Sequence, residues 1–132
     1  MSDDLAKRAV ACKGWRWMPG MLAIHPDWQG FRVSHVGLTG MHGICRYPSP
    51  MGGVERAVVA LPVPTTSDVL PDLTDPATVG CLLALVRDAH RDAYMAAGND
   101  GPVWVVRDCD GYEVCRGTSE RAVLVAALEA AP

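Results

Sequence analysis

Leu70-Pro71-Asp72-Leu73-Thr74-Asp75-Pro76-Ala77-Thr78-Val79-Gly80-Cys81-Leu82-Leu83-Ala84-Leu85-Val86-Arg87 is the stretch whose reading decides the fold. A helix must begin in it. Thr74 or Asp75 supplies a side-chain oxygen for the N-cap, and Pro76 occupies the first turn, where a missing N–H costs nothing. Val79, Leu82, Leu83, Val86, Ala89, Ala93 and Tyr94 then recur at three- and four-residue spacing, as one apolar face requires. Arg87, Asp88, Arg91 and Asp92 fill the opposite side, and Gly98 with Asn99 beside it is the expected stop.

On the C-terminal side, residues 103–107 and 112–115 read as two strands joined at Asp110-Gly111, a strong hairpin signal. Thr118 or Ser119 then caps a final helix through Ala130, with Glu120 in its favourable first turn. The run from 122 to 128 is apolar nearly all round, so that helix is expected either in the core or at a homo-oligomer interface. On the N-terminal side, residues 3–12 read as a short helix with Asp3 and Asp4 at its positive end. Residues 15–22 read as extended and interrupted by a turn at Pro19-Gly20. Residues 31–36 alternate as a half-buried strand, with Phe31, Val33 and His35 on one face. Residues 37–53 are rich in Gly and Pro and read as a long loop with at most a short strand at 44–46, and long loops are often functional. Residues 54–63 resume a strand pattern, and 64–74 form a connection.

The order is therefore α-β-β-β-α-β-β-α. It predicts an α+β fold with a mostly antiparallel sheet and helices packed on one face. The 132 residues, 49% hydrophobic and 20% charged, are enough for a single domain (residues 1–132) that folds without disulfide or metal. A net charge of −3 and a pI near 5.7 argue against a surface that clamps duplex DNA as a whole. An acidic start without an apolar segment argues against export, and no apolar run is long enough to span a bilayer. A cytoplasmic setting follows, in which Cys12, Cys45, Cys81, Cys109 and Cys115 stay reduced.

Specific catalytic signatures are missing. Four histidines and five cysteines show no C-x-x-C, H-x-x-x-H or H-E-x-x-H spacing, so neither metal nor other cofactor is expected. Cys109 and Cys115 straddle the hairpin turn, and His42 and Cys45 share the 37–53 segment, but buried thiols and surface imidazoles are the commoner outcome. Cys81 lies near the apolar face of the long helix. There is no G-x-S-x-G elbow, and the glycines of 37–43 lack the Lys-Ser/Thr of a phosphate loop. Asp72, Asp75, Asp108 and Asp110 are accounted for by capping and turn chemistry.

The segment Lys13-Gly14-Trp15-Arg16-Trp17-Met18 is the most suggestive. Two indoles and two cations fall together, and alternation would put Trp15 and Trp17 on one face and Arg16 on the other. Aromatic faces stack bases and neighbouring cations track phosphate. The competing structural reading is that both tryptophans pave a core. Lys7, Arg8, Lys13 and Arg16 form a local basic patch.

Gly14-Trp15-Arg16-Trp17-Met18-Pro19-Gly20-Met21, the 70–87 stretch quoted above, and Val123-Leu124-Val125-Ala126-Ala127-Leu128-Glu129-Ala130-Ala131 resemble segments of a group of small bacteriophage and prophage proteins. The 37–53 segment has no counterpart in the resemblance. The resemblance implies no catalytic residue, but it implies a phage or prophage accessory protein that acts by binding inside the host bacterial cell. The expected roles are inhibitor of a host defence system or sponge for its nucleotide signal, with a host protein or small nucleotide as partner. Trp15, Arg16, Trp17, Lys13 and His42 are the expected contact residues. The alternative is a single-stranded nucleic-acid or nucleotide-binding protein of phage replication.

Overall fold

In a computed structural model, the described residues are 2–25, 28–37, 40–47, 56–59 and 69–132. The chain is α+β, and its described residues form three helices and two antiparallel sheets in the order helix, strands, helix, strands, helix. It divides into two units, Met1–Arg16 with Val79–Pro132, and Trp17–Thr78.

The first unit holds α1 (Ser2–Val10), most of α2 (Pro76–His90), β6 (Ala96–Asp100), β7 (Val103–Arg107), β8 (Glu113–Gly117) and α3 (Glu120–Glu129). The three strands form a meander, β6-β7-β8. Its second turn spans Asp108 to Tyr112: Gly111 sits at φ 86°, and one Asp108 carboxylate oxygen accepts from the N–H groups of Asp110 and Tyr112. Ser119 is the N-cap of α3, its hydroxyl accepting from the Ala122 N–H at 3.2 Å. The helix packs on the strands and against α1. Val123, Leu124, Val125, Ala127 and Leu128 are thereby buried within one chain, which answers the sequence alternative in favour of core.

The end of α2 differs from expectation. It stops at His90, because Arg91 enters the left-handed region at φ 54°. The Arg91 N–H bonds to the Asp88 carbonyl and the Asp92 N–H to that of Arg87, a Schellman closure built without glycine. Gly98 lies inside β6 instead of ending a helix, and Tyr94 is 81% exposed instead of sharing the apolar face. Residues 15–18 form no strand either, so the expected alternation of Trp15, Arg16 and Trp17 does not apply. The Trp15 N–H instead closes a turn onto the Cys12 carbonyl at 3.1 Å.

The second unit carries the five-stranded antiparallel sheet β4-β3-β2-β1-β5. Its strands are β1 (Leu22–His25), β2 (Trp28–Gly37), β3 (Gly40–Tyr47), β4 (Arg56–Val59) and β5 (Leu70–Pro71). The expected long loop is thus a strand over Gly40–Tyr47, paired with β2 from Gly40 to Cys45 and with β4 from Ile44 to Tyr47. Its glycines have a packing reason: a Cβ at Gly43 would run into the Arg32 carbonyl, so the low side-chain content that reads as loop is what lets the backbones close. Residues 38–39 and 48–53 of that segment, with 54–55 and 60–68, lie outside the described residues; what is described of the expected 54–63 strand forms β4, and the expected 64–74 connection holds the short strand β5. Met21, Ala23, Phe31, Val33, Met41, Val69 and Leu73 are buried in this unit.

A register shift between Val33 and His35 changes the face of β2. Phe31 and Val33 point into the core while His35 is exposed, against the expectation that all three share a side. The extra residue of a bulge reverses the alternation beyond it.

Candidate functional site

The N-terminus of α2 is locked by a polar clamp within the second unit. Asp75 is its N-cap: one carboxylate oxygen accepts from the Thr78 N–H at 3.0 Å and hydroxyl at 2.8 Å. Arg32, from β2, forks onto both Asp75 oxygens at 2.6 and 2.9 Å and donates to the Gly20 carbonyl at 2.9 Å. Thr78, fully buried, accepts in turn from the Leu22 N–H. The Arg32 guanidinium, with the Thr78 bonds, holds the Asp75 carboxyl down at about 2. Each polar group here is matched by another of the same unit, so the cluster positions the helix and offers little to a ligand.

A more open site lies in the first unit, where the end of α1 meets the end of α3. A cleft of about 520 Å³ is lined by Arg8, Cys12, Lys13, Gly14, Leu128 and Glu129, among others. The chain can turn into it because Gly14 has no side chain: a Cβ there would stand 3.0 Å from Ala89 Cβ and 3.1 Å from Leu128 Cδ1. Arg8 forks onto Glu129, with contacts of 2.6 and 3.2 Å, and the pair neutralises itself. Lys13 is exposed at the rim. The Cys12 Sγ donates to the Arg8 carbonyl at 3.2 Å, and burial followed by the nearby Glu129 charge pushes its thiol up. A thiol held protonated is a poor nucleophile. Burial likewise pushes Cys115 up, and that residue pairs with Val106 across the ladder, not with Cys109.

The residues singled out from the sequence are divided between the units. Lys13, Trp15 and Arg16 belong to the first. Trp15 is half-buried, and Arg16 is exposed and ion-paired with Asp88 of α2. Trp17 opens the second unit and is half-buried. His42 sits in β3, directly opposite His35, not on a loop. Two of the four cations in the N-terminal basic patch, Arg8 and Arg16, have acidic partners more than 70 residues along the chain, at Glu129 and Asp88. Local sequence could not reveal either pair.

Among the described residues, no group of three or more His, Cys, Asp or Glu side chains converges as a metal site, and no helix is long and apolar enough to cross a membrane. No protein-family model, no curated protein and no solved structure matches the chain.

Proposed function

We propose that this chain is a small phage accessory protein that acts by binding, taking an anionic ligand of the nucleotide class in the cleft of its first unit and so serving as a sponge for a host defence signal. The observation that carries this reading is the exposed Lys13 on the rim of a cleft whose floor includes Gly14, Ala89 and Leu128. An ammonium at the edge of an apolar floor suits a phosphate joined to a flat, weakly polar base. Nucleic-acid binding along the basic patch is less favoured, since Arg8 and Arg16 already neutralise Glu129 and Asp88.

The test is a titration with mononucleotides and cyclic dinucleotides, followed by backbone amide NMR. Shifts centred on Arg8, Lys13 and Gly14, weakened several-fold by Lys13→Ala with the fold unchanged, are the expected result. Shifts elsewhere, or none at millimolar ligand, would overturn the assignment. Binding only to oligonucleotides, with a steep salt dependence, would transfer support to the replication reading.

A further inference from the structure

His35 and His42 stand directly opposite one another on β2 and β3, with ring centroids 5.7 Å apart and ring planes inclined at 42°. We propose that this pair is a surface site for a borderline divalent transition-metal ion of the zinc, nickel and copper class. It is independent of the cleft in the first unit.

Three observations support it. Residues directly opposite on antiparallel strands keep their Cβ atoms about 4.5–5.5 Å apart, so the backbone holds the two imidazoles as a pincer. With metal–nitrogen bonds of about 2.0–2.1 Å, the two ring nitrogens must come within about 4 Å of each other, and ring centroids 5.7 Å apart are compatible with that spacing. The bulge between Val33 and His35 is what turns His35 away from the core side of Phe31 and Val33. Bulges that re-aim a side chain are common beside functional sites. On the same strand, Gly37 leaves the flank of the His35 ring bare: even a methyl there would only reach ordinary contact, 3.5 Å from Nε2.

Two imidazoles leave the remaining coordination positions to water or to a donor from a bound ligand. The ion is therefore exchangeable, and its affinity follows the order of imidazole sites, copper above nickel above manganese, with magnesium excluded. Imidazole ligation without carboxylate does not suit a hard cation.

The experiment is a calorimetric titration of the tag-free full chain with Cu²⁺, Ni²⁺ and Mg²⁺ as their chlorides. A single ion per chain is expected for Cu²⁺ and Ni²⁺, and none for Mg²⁺. His35→Ala and His42→Ala should each weaken Ni²⁺ binding by about tenfold or more, since each removes a direct ligand. Unchanged affinity in either folded variant overturns the site. A second readout needs no variant. Paramagnetic Ni²⁺ should broaden the ring resonances of His35 and His42 first and together. Broadening that begins at His25 or His90 would overturn the proposal equally.

Discussion

In the first unit the described core is a matter of filled volume: Leu82, Leu85, Val86, Val105, Val106 and the buried face of α3. In the second, filled volume around Phe31, Met21 and Met41 is joined by close backbone approach and charge. Gly43 lets β3 lie against β2, and Arg32 ties β2 to the start of α2 through Asp75. Removing atoms should therefore harm the first unit, and adding atoms or discharging a carboxylate should harm the second. The contrast teaches that glycine content and a lone Asp-Pro, read locally as loop and cap, also do tertiary work in the second unit.

The sharpest test of the contrast is Gly43→Ala. A methyl where the Arg32 carbonyl lies must push the β2–β3 ladder apart, so the largest loss of stability is expected here, with β2 and β3 amides losing hydrogen-exchange protection first. Leu124→Ala comes next. It empties a fully covered position in α3 and should cost about 3 kcal/mol in chemical denaturation. A cost under about 1 kcal/mol would mean that the site collapses around the smaller side chain and is not volume-limited.

Asp75→Ala should cost about 2 kcal/mol, since it leaves the Arg32 fork and the Thr78 hydroxyl and N–H without their acceptor. The same clamp has a pH signature. The Asp75 carboxyl is held at about 2, below the about 3.9 of an unfolded aspartate, so its contribution is present above about pH 4 and fades as pH falls toward 2. Carbon-detected NMR should find this midpoint, and Arg32→Ala should raise it, because the guanidinium is the largest cause of the depression. An Asp75 midpoint indistinguishable from that of an exposed aspartate would break the claim that charge holds this unit.

The smallest effect belongs to Ser119→Ala. Losing one capping bond at α3 should cost about 1 kcal/mol, read as a shift in denaturation midpoint with unchanged slope. Replacement by Asp, which accepts the same bond and suits the helix dipole, should restore it.

The candidate site was half legible. Lys13 stood out because a cation beside two tryptophans is visible in any reading of the chain, and Arg8 was part of the same basic cluster. The cleft around them was not legible, since Leu128 and Glu129 reach it from more than a hundred positions away. His42 was noted, but its partner His35 was expected on the core side of its strand. Only a bulge distinguishes those faces, and a bulge leaves no reliable mark in an alternating sequence.

By itself the sequence determined the α+β class, the start of α2 at Pro76 with a cap at Thr74 or Asp75, the start of α3 with a cap at Thr118 or Ser119, and the turn around Asp110-Gly111. Each depends on groups within a few residues, because caps and turns satisfy backbone donors and acceptors locally. Tertiary structure alone decided that the strand runs over the whole of 40–47 and not 44–46 alone, that α2 ends at His90 instead of near Gly98, and that Arg32 meets Asp75. A strand poor in side-chain signal exists only when a neighbour pairs with it. A left-handed arginine is tolerated only when surrounding bonds, such as Arg87 to the Met95 carbonyl and Asp92 to the Cys109 N–H, hold the chain on either side of it.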